Sequence, residues 1–163
     1  MKKIHLLFSI IITVLFFASC ATSKDVRNYR KEVDGHWQLH TIVTEGITGK
    51  IKAQIFNEAD FNCFVGSNWT FNKNNSLGSY TIAQNANECV AIKRDFRWSV
   101  YEASGQPKLL QFKRLDKNLK EIDDNSGGFR FTIVNIDKTT MQLRSDITFE
   151  GKAASFIYNF VKN

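Results

Sequence analysis

Apolar and polar residues alternate along most of the chain after residue 35, which is typical of β-strands with one buried face. The clearest example is the segment 141–150. Its apolar positions are Met141, Leu143, Ile147 and Phe149, and its remaining positions are mostly polar. A period of two over so much of the chain predicts an all-β domain whose sheet has one dry side.

Eight segments carry this strand signal and are separated by turn-forming residues. Asn, Ser, Gly and Asp residues mark the turns at 72–76, 126–128, 137–138 and 151. The predicted strands are 36–44, 68–72, 77–83, 95–101, 108–115, 129–136, 140–149 and 152–161. Eight short antiparallel strands in sequence order predict an up-and-down β-barrel, because closure removes the exposed edges of an open sheet.

Two segments lack the period of two. Residues 21–34 place Val26, Tyr29 and Val33 among charged and small polar residues, which predicts one or two turns of amphipathic helix. Residues 45–65 are irregular, and the spacing of Ile51, Ile55 and Ala59 favours a short helix that crosses one end of the barrel.

The N-terminus has the order of a bacterial export signal. Lys2 and Lys3 precede the apolar run 6–17, and Ala18, Ser19 and Cys20 follow it. This order resembles the lipobox, in which a signal peptidase cuts before a cysteine that carries diacylglycerol. Twelve helical residues span ~18 Å, whereas a bilayer core is ~30 Å thick, so we expect this apolar run to be too short for a transmembrane helix. The resemblance implies a cleaved signal peptide (1–19), lipidation of Cys20, a tether (20–34) and one domain (35–163).

Residue 21 is Ala and not Asp. By the sorting rule of many Gram-negative bacteria, this favours the outer membrane, with either the periplasmic face or the cell surface left open. Two or three acyl chains hold a protein durably on a membrane, since one chain alone binds only marginally.

The other two cysteines, Cys63 and Cys89, would lie in an oxidising compartment, where disulfides persist. We therefore expect them to be bridged, which would stabilise the fold by roughly 3 kcal/mol. The alternative is two buried free thiols. A catalytic Cys63 is disfavoured, because its neighbours are apolar and a reactive thiolate needs a cation beside it.

Charge and spacing argue against several functions. The net charge of +6 falls to +4 without residues 1–19, and no long basic run suggests nucleic acid. We interpret the basic pairs 93–94 and 113–114 as part of the solvated surface.

The spacing of the histidines argues against a metal site. His36 and His40 would stand ~13 Å apart on one strand, too far to share a metal. Glu121, Asp123 and Asp124 are read as part of a polar loop. We expect no catalytic residue, metal or cofactor.

Gly35-His36-Trp37 at the start of the first strand matches the G-x-W signature of lipocalins. Together with Cys63, Trp69, Cys89, Trp98 and a closing meander, it resembles the lipocalin-like domain of Bacteroidetes-type lipoproteins over residues 35–163. The chain departs from the lipocalin pattern in lacking a T-D-Y corner. It also has no arginine in the last strand to stack on Trp37, only Lys152 and Lys162.

The resemblance implies that a small hydrophobic molecule binds inside the barrel. The candidate lining residues are Trp37, Leu39, Trp69, Phe71, Trp98, Phe131, Met141 and Leu143. The same residues could instead simply fill the core.

The predicted protein is a monomeric, non-catalytic, outer-membrane-anchored carrier. The alternative is an envelope interaction module with a filled barrel, whose working surface would be the loops 45–62 and 117–127. A carrier predicts an interior cavity of several hundred cubic ångströms with an open mouth. A module predicts a solid core and an exposed apolar patch.

Overall fold

The computed structural model describes residues 23–49, 51–84, 89–102, 106–123 and 127–163. The predicted signal peptide and the predicted lipidation site, Cys20, lie outside these residues. The first element is the helix α1 (Lys24–Val33), whose N-terminus is capped by Ser23 Oγ, which accepts the Val26 N–H at 3.1 Å. Val26 and Val33 are its buried residues, so the predicted amphipathic helix is present with ten residues.

Within these described ranges, ten strands follow α1, and eight of them form a closed antiparallel barrel. The strands are β1 (Gly35–Glu45), β2 (Gln54–Ile55), β3 (Ala59–Asp60), β4 (Asn68–Asn72), β5 (Leu77–Ile82), β6 (Ile92–Tyr101), β7 (Leu109–Leu115), β8 (Phe129–Ile136), β9 (Thr140–Phe149) and β10 (Lys152–Lys162). Strands β4 to β10 pair with their neighbours in sequence order, and β1 closes the barrel between β10 and β4. The predicted eight-stranded up-and-down barrel is confirmed.

The first strand ties both ends of the meander together. Trp37 lies opposite Trp69 on β4 and opposite Lys162 on β10. A β-bulge between Leu39 and Thr41 contains His40, which is exposed, as is His36. The two histidines therefore belong to the outer surface of the barrel.

The helix α1 covers one end of the barrel. The Trp37 indole N–H donates to the Val33 carbonyl at 2.8 Å, and the Arg30 guanidinium lies 5.1 Å from the centre of the Trp98 ring. Lys162 Nζ lies 4.8 Å from the centre of the Trp37 ring. The last strand has no arginine to stack on Trp37, and Lys162 makes a cation–π contact with this ring instead. Within the described ranges, no helix has the length and apolar character needed to span a membrane.

The opposite end of the barrel is occupied by the segment between β1 and β4. β2 and β3 pair only with each other and form a short hairpin, followed by the helical turn α2 (Phe61–Phe64). The helix predicted through Ile51, Ile55 and Ala59 is therefore wrong. Phe56 and Asn57 adopt φ values of +54° and +52°, which reverse the chain where a right-handed helix would have to continue.

The predicted disulfide is present. Cys63, on α2, is bonded to Cys89, which precedes β6, and their Cα atoms are 5.5 Å apart. The bridge therefore fixes the chain just after the hairpin to the wall of the barrel.

Candidate binding site

The inner wall of the barrel is largely aromatic because the period of two points every second side chain inward. Phe96 and Trp98 on β6 alternate with exposed or half-exposed residues, as do Leu110 and Phe112 on β7. The rings meet edge-on, tilted or stacked, and the rings of Trp69 and Tyr80, for example, are tilted by 34° with 4.7 Å between their centres. Such pairs stabilise a core by about 0.5–1.5 kcal/mol each beyond the burial of their area.

Phe56 fills the centre of this wall from the tip of the β2–β3 hairpin. Its side chain is buried although it belongs to a connecting segment, with 6% of the residue exposed. Aromatic rings surround it, with centres 5.0–6.4 Å from its own: Phe64, Trp69, Tyr80, Phe112, Phe129, Phe131 and Tyr158. The hairpin therefore acts as a plug in this end of the barrel.

Beside the ring, the same hairpin inserts a carboxylate. Glu58 Oε1 lies 2.5 Å from Arg94 Nε and 3.3 Å from Arg114 Nη1, and Glu58 Oε2 accepts the Tyr80 hydroxyl. Only 4% of the Glu58 side chain is exposed. A carboxylate so deeply buried is stable only because two guanidinium groups and a hydroxyl partner it.

Arg114 has a second partner in Asp123. Arg114 Nη2 and Nε donate to Asp123 Oδ1 at 2.6 and 2.9 Å, and the Arg114 backbone N–H donates to Oδ2 at 2.7 Å. Burial opposes the charge of Arg114, but its bonds to Asp123 and its attraction to Glu58 prevail and raise its pKa. The two arginines and two carboxylates together form a neutral cluster.

Two tyrosines of the inner wall are held in the neutral form. Burial, followed by the bond to Glu58, raises the pKa of Tyr80 well above its usual range. Burial also raises the pKa of Tyr158 to about 12, although its contact with the Ser145 hydroxyl lowers it slightly. Both hydroxyls therefore remain available as hydrogen-bond donors at neutral pH.

A cleft of about 330 Å³ lies between the hairpin and the strands β8, β9 and β10. The hairpin side is formed by residues 54–57, including Phe56. The barrel side includes Phe129, Phe131, Ser145, Phe156 and Tyr158. The cleft therefore exposes part of the aromatic interior at the edge of the plug.

The structure places all the predicted lining residues in the core. Trp37, Leu39, Trp69, Phe71, Trp98, Phe131, Met141 and Leu143 are each at most 3% exposed. Of these, Trp69 and Phe131 contact the Phe56 ring, and Phe131 also lines the cleft. Trp37 and Trp98 lie toward the end covered by α1. The role of these residues in ligand binding stays a prediction.

Sequence reasoning missed the polar part of the site. Arg94 and Arg114 belong to basic pairs that predict solvated surface, yet both point inward and only Lys93 and Lys113 have the outer positions. The period of two could have revealed the inward position of Arg94, because Arg94 is two residues from Phe96 and four from Trp98 and therefore lies on the same face of β6. Asp123, read as part of a polar loop, is buried for the same reason: its partner Arg114 faces inward.

The expectation of an exposed working loop at 45–62 is also wrong in part, since Phe56 and Glu58 of this segment lie inside the barrel. Within the described residues, no group of three or more His, Cys, Asp or Glu side chains is arranged to hold a metal ion.

A closed eight-stranded antiparallel barrel with an aromatic interior and a helix against one end is the architecture of the lipocalin class. The model of the lipocalin-like domain family matches residues 33–143, which is more than half of the chain. The chain therefore belongs to the lipocalin-like domain family.

The chain is also similar to solved structures, at low sequence identity. A lipocalin-like protein from Bacteroides uniformis is 14% identical, covers 81% of this chain and 99% of its own, and superposes with a TM-score of 0.44. Bovine odorant-binding protein complexed with its natural ligand is 12% identical, covers 89% of this chain and 77% of its own, and has a TM-score of 0.40. No curated protein matches the chain.

Proposed function

We propose that this protein is a non-catalytic lipoprotein of the outer membrane that binds a small hydrophobic ligand at the barrel end closed by the β2–β3 hairpin. Lipocalin folds typically bind such ligands inside the barrel, and eight strands leave room for one small molecule. The ligand would enter beside Phe56 and displace its ring. We expect the protein to act as a monomer.

The observation that carries this proposal is the aromatic cleft of about 330 Å³ beside Phe56. Ligand sites are concave, mostly apolar and supplied with a few polar groups. The cleft is concave and combines the rings of Phe129, Phe131 and Phe156 with polar groups in about equal measure, among them Arg130, Ser145 and the Tyr158 hydroxyl.

The filled interior favours a second function, that of an envelope interaction module. Phe56 occupies the space that an open carrier would leave empty. An interaction module should also expose an apolar patch. The large hydrophobic residues exposed within the described ranges are instead distributed over several strands and loops, as with Val43, Val90, Leu119 and Val134. We therefore prefer the binding function.

Native mass spectrometry of the full chain in nanodiscs, mixed with an extract of bacterial envelope lipids and metabolites, tests the proposal. We expect a bound adduct on the wild type that is lost in Ser145→Leu, which fills the cleft. The control is Thr148→Leu on the outer face of the same strand. A wild type that stays without adduct, together with a Phe56→Ala variant that also binds nothing, would support the interaction module.

The membrane anchor is tested separately. If Cys20 is lipidated, metabolic labelling with a radioactive or alkynyl fatty acid should label the wild type. The label should be absent from Cys20→Ala. In cell fractionation, we expect the wild type in the outer-membrane fraction and Cys20→Ala in a soluble fraction. Equal labelling of both proteins would contradict the anchor.

A further inference from the structure

The tip of the β2–β3 hairpin delivers two different groups into the barrel within three residues. Phe56 contributes an aromatic ring and Glu58 contributes a carboxylate. Asn57, between them, is exposed and has a left-handed backbone conformation. Two successive non-glycine residues at positive φ cost about 1 kcal/mol or more each. The buried contacts of the ring and the carboxylate therefore hold this turn in place.

The receiving surface for the carboxylate belongs to the barrel and not to the hairpin. Tyr80, Arg94 and Arg114 lie on the adjacent strands β5, β6 and β7, and all three reach Glu58. Asp123 neutralises one of the two arginines. If the hairpin withdrew, this surface would carry one uncompensated positive charge and an unused tyrosine hydroxyl. The guanidinium left without a carboxylate would be that of Arg94, which is half-buried at the edge of the barrel, so the emptied surface would favour a monoanion.

The receiving surface for the ring is shaped for another ring. Phe64, Trp69, Phe112, Phe129 and Phe131 meet Phe56 at interplanar angles of 70–90°. Edge-to-face contact is a geometry that aromatic pairs prefer. An aromatic ligand could make the same contacts once Phe56 had left.

The hairpin is attached so that it could withdraw without unfolding the barrel. β2 and β3 pair with each other and with no barrel strand. Before the hairpin, Gly46 and Gly49 have φ values of +74° and +91°. Glycine adopts positive and negative φ values about equally readily, so the backbone at these two positions can change conformation more easily than at other residues. After it, the Cys63–Cys89 bridge holds α2 in place.

From these contacts we propose that this end of the barrel binds a small aromatic monocarboxylate, and that Phe56 and Glu58 occupy the site as an internal substitute for that ligand. The ligand's ring replaces Phe56, and its carboxylate replaces Glu58 on Tyr80, Arg94 and Arg114. This inference rests on the proposed binding function and adds to it the chemical class of the ligand.

The test uses a matched pair of probes, 4-phenylbutyrate and the uncharged 4-phenylbutan-1-ol. Each is titrated calorimetrically into the full chain in phosphatidylcholine nanodiscs, with empty nanodiscs as the blank. We expect the acid to bind at least about tenfold more tightly than the alcohol. We also expect Glu58→Gln and Phe56→Ala to bind the acid more tightly than the wild type, because a ligand that must first displace a substitute has a reduced apparent affinity.

Arg94→Met should reduce the ratio of acid affinity to alcohol affinity to about twofold or less. Lys93→Met is the matched control, since it removes one positive charge from the next residue, on the outer face of β6. Arg94→Lys keeps the charge and should keep part of the preference, which separates recognition from misfolding. In NMR spectra the acid should shift the indole N–H signal of Trp69, beside Phe56, more than that of Trp37.

The outcomes separate the two proposals. Equal binding of acid and alcohol, or an acid preference that survives Arg94→Met, would overturn the carboxylate site and leave the binding function standing. Failure of both probes to bind the wild type and Phe56→Ala would overturn the aromatic carboxylate site, whereas the binding function is overturned only if the envelope extract also gives no adduct.

Discussion

At the residue scale, the fold depends on single side chains that complete surfaces made by others. Phe56 completes the aromatic core, Glu58 completes the arginine cluster, and Lys162 covers Trp37 at the opposite end. Each of the three is far in sequence from most of the residues it contacts. Their contributions can therefore be tested by substitutions that leave the strands intact.

Lys162→Ala should lower the free energy of unfolding by about 1 kcal/mol, because it removes the cation–π contact with Trp37 and the aliphatic cover of the ring. Lys162→Arg should stay within about 0.5 kcal/mol of the wild type, since a guanidinium makes the same contact. Lys152→Ala, at the exposed start of the same strand, is the control. Urea denaturation measures all three, and equal losses for the two alanine variants would contradict the role of Lys162.

Stability should fall at alkaline pH because Tyr158 is buried. Its pKa in the folded protein is about 12, against 10.0 when unfolded. The unfolded chain therefore loses this proton first, so the contribution is complete below pH 10 and is lost as the pH rises to 12. Between pH 9 and pH 11, the wild type should lose about 1 kcal/mol more than Tyr158→Phe. Denaturation curves at both pH values measure the difference, and identical losses would contradict the assignment.

At the scale of elements, the β2–β3 hairpin and α2 form a unit that is distinct from the barrel strands. The hairpin has only two residues in each strand, which is too short to be stable by itself. Its position depends on the ring of Phe56, the carboxylate of Glu58 and the disulfide that follows. The two hairpin strands pair with each other and with no strand of the barrel.

Loss of the Cys63–Cys89 bridge should lower the free energy of unfolding by about 3 kcal/mol, since the cross-link closes a loop with a sequence separation of 26. The double variant Cys63→Ala, Cys89→Ala and the reduced wild type should show the same guanidinium midpoint. The double variant treated with reductant is the control and should not change further. A wild type whose midpoint is insensitive to reductant would contradict the prediction.

At the scale of the whole molecule, the two ends of the barrel differ. α1 covers one end, and its N-terminal cap Ser23 lies 3.4 Å from Glu102, just after β6. The hairpin and the arginine cluster lie at the other end, around the start of β6. If Cys20 carries lipid, the residues from Cys20 to Ser23 span at most about 14 Å. The end covered by α1 would then face the membrane.

This arrangement predicts that the hairpin points away from the bilayer. In nanodiscs that contain a spin-labelled lipid headgroup, the amide signals of Lys24 and Glu102 should broaden more than that of the exposed Asn57. Nanodiscs without the spin label are the control. Stronger broadening at Asn57 would contradict the orientation, whichever leaflet holds the anchor.

Much of the barrel could be predicted because period-two alternation is a local property. The bounds of β4, β8 and β9 were predicted to the residue, and those of β10 to within one residue. The disulfide followed from the compartment that the N-terminus implies. The hairpin could not be predicted, because strands of two residues show no period and its left-handed residues are not glycines. The inward arginines were missed because their partner Glu58 is distant in sequence.

The sequence by itself determined the eight strands, their order and the dry face of the sheet, because each depends on neighbours a few residues apart. Only the tertiary structure decided what fills that dry interior. A ring and a carboxylate from one short turn meet partners on β5, β6, β7 and β8, and their burial depends on all of these strands being closed around them. The energy of such a site lies in contacts between distant segments, which local alternation does not encode.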